Sequence, residues 1–155
     1  MRTLLLRTTL PALALLAASL CVTGPAFARD MKSGEGASAY EQSTTAEDLL
    51  TEDLASDPDE EVKAQLYTIP AQTTLPWHIH PDAQEIVYVV DGPFTVEVET
   101  EGKATERTEL KTGDVFHLDP NAVHRGLNEH AIDAAKLYVI RIKPKDAPLV
   151  EEVDR

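Results

Sequence analysis

His78-Ile79-His80-Pro81-Asp82-Ala83-Gln84-Glu85-Ile86-Val87-Tyr88-Val89-Val90-Asp91-Gly92 is the stretch on which the fold turns. Two histidines stand two apart, so on an extended chain their side chains share one face. Pro81 to Gln84 reads as a short turn-like connection. Glu85 then opens a β-branched apolar run, and Asp91-Gly92-Pro93 ends it, which is the pattern of a strand between turns. Glu85, at the start of that strand, can face the same interior as the two histidines. His124, far along the chain, is the candidate that a distant strand would add.

The same period of two runs outward from this stretch. Val62, Ala64 and Leu66 alternate with Lys63, Gln65 and Tyr67. Phe94, Val96 and Val98 alternate with Thr95, Glu97 and Glu99, so one face is inside and one is in water. Glu101-Gly102-Lys103 turns the chain, and Thr105, Arg107 and Glu109 suggest an exposed edge strand. Thr112-Gly113-Asp114 leads into Val115 to Leu118. Ala135 to Ile142 is the last apolar strand before Pro144 and Pro148. Short strands with Gly, Pro and Asp between them predict an all-β fold, a single antiparallel β-barrel or jelly roll over 62–143.

The flanks read differently. Arg2 and Arg7 precede an apolar run from Leu10 to Val22, and Ala26-Phe27-Ala28 is a small-x-small site. This predicts a secretory signal over 1–28, cleaved after Ala28. The run is shorter than the ~20 residues of a membrane span. Leu20 before Cys21 argues against a lipoprotein. Small and polar residues over 29–45 predict a disordered leader. The N-terminal extension covers 46–61; over 46–56 it is ambiguous, since Leu49, Leu50 and Leu54 fit a helical face, with Thr45 and Asp48 as a capping box, or an edge strand, and Asp57-Pro58-Asp59-Glu60-Glu61 reads as a break. Residues 144–155 read as a C-terminal tail.

A chain beginning at Arg29 is exported, to the periplasm or outside the cell, and carries no cysteine. Its 27 acids face 12 bases, the 14 Lys and Arg less Arg2 and Arg7, for a net charge of −15. That surface repels nucleic acid and anionic membranes, so neither is an expected partner. A small-molecule substrate or ligand is expected, and a homodimer is allowed.

Three imidazoles and a carboxylate, His78, His80, Glu85 and His124, suit one divalent transition metal and leave positions open to a ligand. Ligand type does not choose among Fe, Mn, Ni, Cu and Zn. Several other residues are weaker candidates. His117 is an acid or base if it faces the pocket, and a structural histidine otherwise. Trp77 and Tyr88 line a pocket mouth or pack in the core or on the surface. Arg125 points to the face opposite His124, and His130 sits between strands.

In these residues the chain resembles the cupin superfamily. His78, His80, Glu85 and Gly92 match the first motif, Gly-x5-His-x-His-x(3,4)-Glu-x6-Gly. Gly113, His124 and Asn128 match the second, Gly-x5-Pro-x-Gly-x2-His-x3-Asn. Gln72 and Asn121 stand where the motifs have glycine, and Asp119 where the second has proline. The resemblance covers about 62–143 and implies a metal held by His78, His80, Glu85 and His124. It implies either a metal-dependent dioxygenase or related oxidoreductase, or a module that holds a metal and a small ligand without chemistry. No residue outside the ligand set is a convincing general acid or base, which weighs against isomerase chemistry.

Overall fold

The computed structural model describes residues 38–100 and 103–154. The expected signal over 1–28, the leader as far as residue 37 and the centre of the Glu101-Gly102 turn lie outside the described residues. In chain order the elements are α1 (Ala39–Ser43), β1 (Thr45–Leu54), β2 (Asp57–Ile69), β3 (Thr73–Thr74), β4 (His78–Ile79) and β5 (Gln84–Asp91). They continue with β6 (Phe94–Val98), β7 (Glu106–Leu110), β8 (Val115–Leu118), β9 (His124–Asn128), β10 (Ala135–Pro144) and β11 (Glu151–Glu152). Two sheets face each other across the core, one ordered β1-β2-β10-β5-β8, the other β11-β4-β9-β6-β7 with β3 added to β9. Every strand pair is antiparallel. The expected all-β jelly roll is the fold.

Register decides what each sheet turns inward. β10 pairs with β5 so that Leu137 opposes Val89, Val139 opposes Val87 and Arg141 opposes Glu85. All six are buried. The interior therefore runs from an apolar end, with Ile69, Val89, Phe94 and Leu137, to a polar end at Glu85 and Arg141. Burying each large apolar side chain is worth about 1.5–3 kcal/mol against the entropy of ordering the chain. Ile86 and Tyr88, on the outer face of β5, are exposed, so the continuous apolar run there is not a strand buried on both faces.

Two turns confirm glycine geometry without glycine. Gln72 (φ 55°) and Asn121 (φ 60°) both lie in the left-handed region, at the positions where the motifs have Gly. A residue with a Cβ tolerates this at a cost, least for Asn. Gly126 in β9 is required by contact instead: a Cβ there would lie 2.4 Å from Phe94 Cζ.

The flanks correct the sequence expectations. Residues 39–43, expected as part of the disordered leader, form α1. Its capping box joins Ser38 and Glu41, and the backbone N–H of Tyr40 donates to Glu152 Oε1 at 2.8 Å. Burial of the Tyr40 ring supplies the anchoring that the polar composition around it concealed. The extension is strand: β1 and the start of β2 form an antiparallel pair, and β2 runs through Asp57 to Glu61, where a break was expected, because β1 pairs with it there. No capping box forms at Thr45, because Asp48 accepts instead from Lys63 and Gln65 across the ladder. The tail contributes β11, which pairs with β4. The barrel thus extends past both ends of 62–143.

Candidate metal centre

His78 lies in β4 directly opposite His124, the first residue of β9. His80 follows His78 on the same face of the extended chain. The three rings are buried, with centroids 4.2 Å (His78–His124), 5.1 Å (His78–His80) and 5.2 Å (His80–His124) apart. One nitrogen from each lies within 4.8 Å of the others.

Each ring is fixed by the same device. Nδ1 of His78 meets Pro76 O at 2.8 Å, Nδ1 of His124 meets Ala122 O at 2.8 Å, and Nδ1 of His80 meets Leu149 O at 2.5 Å. A carbonyl oxygen only accepts, so each Nδ1 carries a proton, and the Nε2 of His78 and of His124 keeps its lone pair. Burial, reinforced by His124 and His80, lowers the His78 pKa to about 2. Burial likewise lowers that of His124. Both rings are therefore neutral at ordinary pH. Neutral imidazoles with oriented lone pairs and backbone partners behind them are what a transition metal takes.

Glu85 is beside this group and differently engaged. Its Oε2 lies 3.0 Å from His80 Nε2 and accepts from Arg141 Nε at 2.6 Å. Burial alone would raise its pKa; Arg141 foremost, then His80, hold it well below the usual carboxylate range. Arg141 is nearly inaccessible and also donates to Gln65 Oε1 (2.8 Å), Tyr67 Oη (3.1 Å) and His80 Nε2 (3.3 Å). Tyr67 Oη donates in turn to Gln65 Oε1. No buried side-chain polar atom among the described residues lacks a partner, the condition under which a buried charge network is tolerable.

Tyr40 closes the other side. Its ring stands edge-on to His78 with centroids 4.6 Å apart. Between the rings and the apolar core is a cavity of about 30 Å³, lined also by Leu75, Val87, Phe94 and Phe116. That is room for about two water-sized groups. A larger groove of about 570 Å³ between α1 and residues 148–150 shares Tyr40 and Tyr67 with it.

The structure brings His78, His80 and His124 together and sets Glu85 at their edge on Arg141. Asn128 is a pin: its amide donates to Ile69 O, Pro70 O and Asp133 O. His117 is half in water with Asp119 3.8 Å away, and Tyr88 is exposed. Arg125 donates to Glu97 and lies 4.7 Å over the Trp77 ring, a packing role. His130 accepts from the Asp133 N–H and serves its loop. Arg141 and Tyr40 were not anticipated. For Arg141 a signal existed: it shares the inward register of Leu137 and Val139, where a charge must have a buried partner. For Tyr40 no local signal existed.

Residues 65–141 match the family described as Cupin domain. No curated protein matches the chain. Among solved structures, it is similar to vicilin from Solanum melongena, with 24% identity, a TM-score of 0.52 and coverage of 59% of this chain and 24% of that one. It is similar to oxalate oxidase in complex with the substrate analogue glycolate, at 20% identity, TM-score 0.57, and coverage of 79% and 61%. A third is the polyketide cyclase RemF from Streptomyces resistomycificus, at 17% identity, TM-score 0.55, and coverage of 74% and 73%. The chain spans about a quarter of the vicilin and under two thirds of the oxalate oxidase. At these identities the likeness carries the fold and no activity.

Proposed function

The chain belongs to the cupin superfamily, and on that premise we propose that it is an exported protein whose barrel holds one divalent transition metal for oxidoreductase chemistry on a small molecule. Dioxygenation is the form we favour. The observation that carries this reading is the shared Nδ1–H to carbonyl bond of His78, His80 and His124, which leaves one ring nitrogen of each for one ion. The residues fit the metal that the family implies, and the reading does not depend on Glu85. When bound, the ion supplies a Lewis acid and, for Fe, Mn or Cu, a redox centre. The chain's own residues do the rest. His78 and His124 present neutral nitrogen, and His80 brings its Nε2 to the same point beside Glu85. Leu75, Val87, Phe94 and Phe116 keep bulk water from the cavity. Tyr40 stands between the cavity and the groove.

Redox chemistry is favoured because, among the described residues, no group beside the histidines is well suited as an acid or base: Glu85 is engaged by Arg141, burial raises the Tyr40 pKa well above its ordinary value, and His117 is turned to solvent. The small cavity favours a second reading, a module that binds metal and small ligand without turnover. An organic substrate larger than two waters needs Tyr40 to move. Oxygen consumption by Fe(II)-, Mn(II)- and Ni(II)-loaded protein against small phenols and enols separates the two. Uptake in any metal form supports the enzyme. Ligand-induced thermal stabilisation without uptake supports the module. Metal at 100 times its Kd should stabilise the fold by about 2.7 kcal/mol, and a His78→Ala/His80→Ala variant should lose that gain. N-terminal sequencing of exported protein should begin at Arg29; a Met1 start, or retention in the cytoplasm, would overturn export.

A further inference from the structure

We propose that Arg141 is a positioning residue that holds Glu85 off the metal, so that the ion is bound by His78, His80 and His124 alone. The inference rests on the metal reading above and goes beyond it. Its first ground is register: Arg141 of β10 lies directly opposite Glu85 of β5, and both side chains turn inward. The pairing is therefore built into the ladder and is not a choice of flexible side chains. Its second ground is the bond set. Arg141 Nε donates to Glu85 Oε2 at 2.6 Å, while Nη1 is tied to Gln65 and Tyr67. Gln65 and Tyr67 fix the guanidinium plane from behind, so the fork cannot turn away from Glu85 without leaving buried donors unpaired. Its third ground is the donor geometry: the histidine nitrogens form a mutual group within 4.8 Å, and Glu85, though its Oε2 lies 3.0 Å from His80 Nε2, does not join that group.

Charge bears on the same point. For Glu85 to move onto an ion, Arg141 would be left as an uncompensated cation beside a dication, inside the barrel. With Glu85 kept by Arg141 the pair is neutral, and three neutral imidazoles leave the ion's charge to be met by exogenous ligands. Such a site has one more open position than the four-ligand set that the motifs imply.

The test is Co(II) titration of the full chain, read by visible absorption and by calorimetry, for the wild type, Glu85→Gln, Arg141→Met and the double variant. Glu85→Gln should keep the wild-type bands and weaken binding by no more than about 10-fold, the low end for a group outside the ligand set. Arg141→Met frees Glu85, and should tighten Co(II) binding by about 10-fold or more and shift the bands toward a higher ligand number. If Arg141→Met folds only with Co(II), that rescue also supports the proposal. The double variant, without buried charge, should return to the Glu85→Gln spectrum. Loss of more than about 100-fold with altered bands in Glu85→Gln would overturn the proposal, because it would make Glu85 a ligand. So would an Arg141→Met spectrum identical to wild type. If the wild type binds no more Co(II) than His78→Ala, the metal reading itself fails, a result distinct from either.

Discussion

Glu85 and Glu97 are the same residue type, each opposed across the ladder by arginine, on opposite sides of the barrel wall. Glu85 in β5 faces Arg141 in β10 and points inward. Glu97 in β6 faces Arg107 in β7 on one side and Arg125 in β9 on the other, and points out. Their bonds are similar in length: 2.6 Å to Arg141, and 2.8 Å and 2.7 Å to Arg107 and Arg125. What differs is the medium. Both carboxylates are largely covered, 6% and 12% exposed at their side chains, but the arginine inside is 2% exposed while those outside are 39% and 31% exposed. A charge inside has no water to return to if its partner is removed. The comparison teaches that bond geometry does not rank these networks; burial does.

The largest expected effect follows from cutting the inner pair on one side. Arg141→Met leaves the Glu85 carboxylate buried without its arginine and with only His80 beside it, so metal-free protein should lose about 3–5 kcal/mol in urea denaturation. Glu85→Gln/Arg141→Met should recover most of that loss, since no net charge remains inside. If Arg141→Met alone costs no more than a surface pair, the inner network is hydrated and the contrast with Glu97 collapses.

The two networks were also unequally legible. The period of two at Phe94 to Glu99 places Glu97 on the outer face, but Thr95 and Glu97 are buried there and not in water, Glu97 beneath Arg107 and Arg125 of the neighbouring strands. The histidine and glutamate spacing identified the cluster and the barrel that carries it. Arg141 lies at the end of a run read as apolar, and nothing local says that its partner is Glu85, 56 positions back. Such contacts are fixed by strand order, which alternation alone does not reveal. The same limit applies to Tyr40. Its helix is only five residues long and is held by β11, 112 positions away. β1 was undecided between helix and strand because both of its faces are exposed; its ladder with β2 decided it. The left-handed turns at Gln72 and Asn121 were legible only through the motif, because neither residue demands that conformation as glycine invites it.

A smaller effect is expected outside. Glu97→Gln keeps the shape and removes the charge that Arg107 and Arg125 share, and those arginines can return to water. Stability in urea should fall by about 0.5–1 kcal/mol, the range of exposed or part-exposed pairs. Salt sharpens the distinction. Between 0.1 M and 1 M the Debye length falls from about 10 Å to about 3 Å. The Glu97→Gln penalty should therefore shrink with added salt, while that of Arg141→Met should hardly change. Equal salt dependence for both would show that the wall of the barrel does not separate two media.

The smallest effect is one of pH. Hydrogen bonds from Arg107 and then Arg125 lower the Glu97 pKa in the folded chain. A depressed folded pKa means that the unfolded chain binds the proton first, at about 4.3 for a free glutamate. The stabilisation from this group is thus present above the unfolded pKa and is lost as pH falls through the folded one. Asp48 is lowered in the same direction by Lys63 and Gln65, and Glu85 by Arg141, so the acid unfolding of wild type alone does not isolate Glu97. The difference between wild type and Glu97→Gln does, because the other carboxyls appear in both proteins and cancel. That difference should be flat above about pH 5 and should close progressively below about pH 4. A difference that widens on acidification would mean that the Glu97 pKa is raised by folding. In that case the two arginines would stabilise the outer sheet by packing, as Arg125 does over Trp77, and not by their charge.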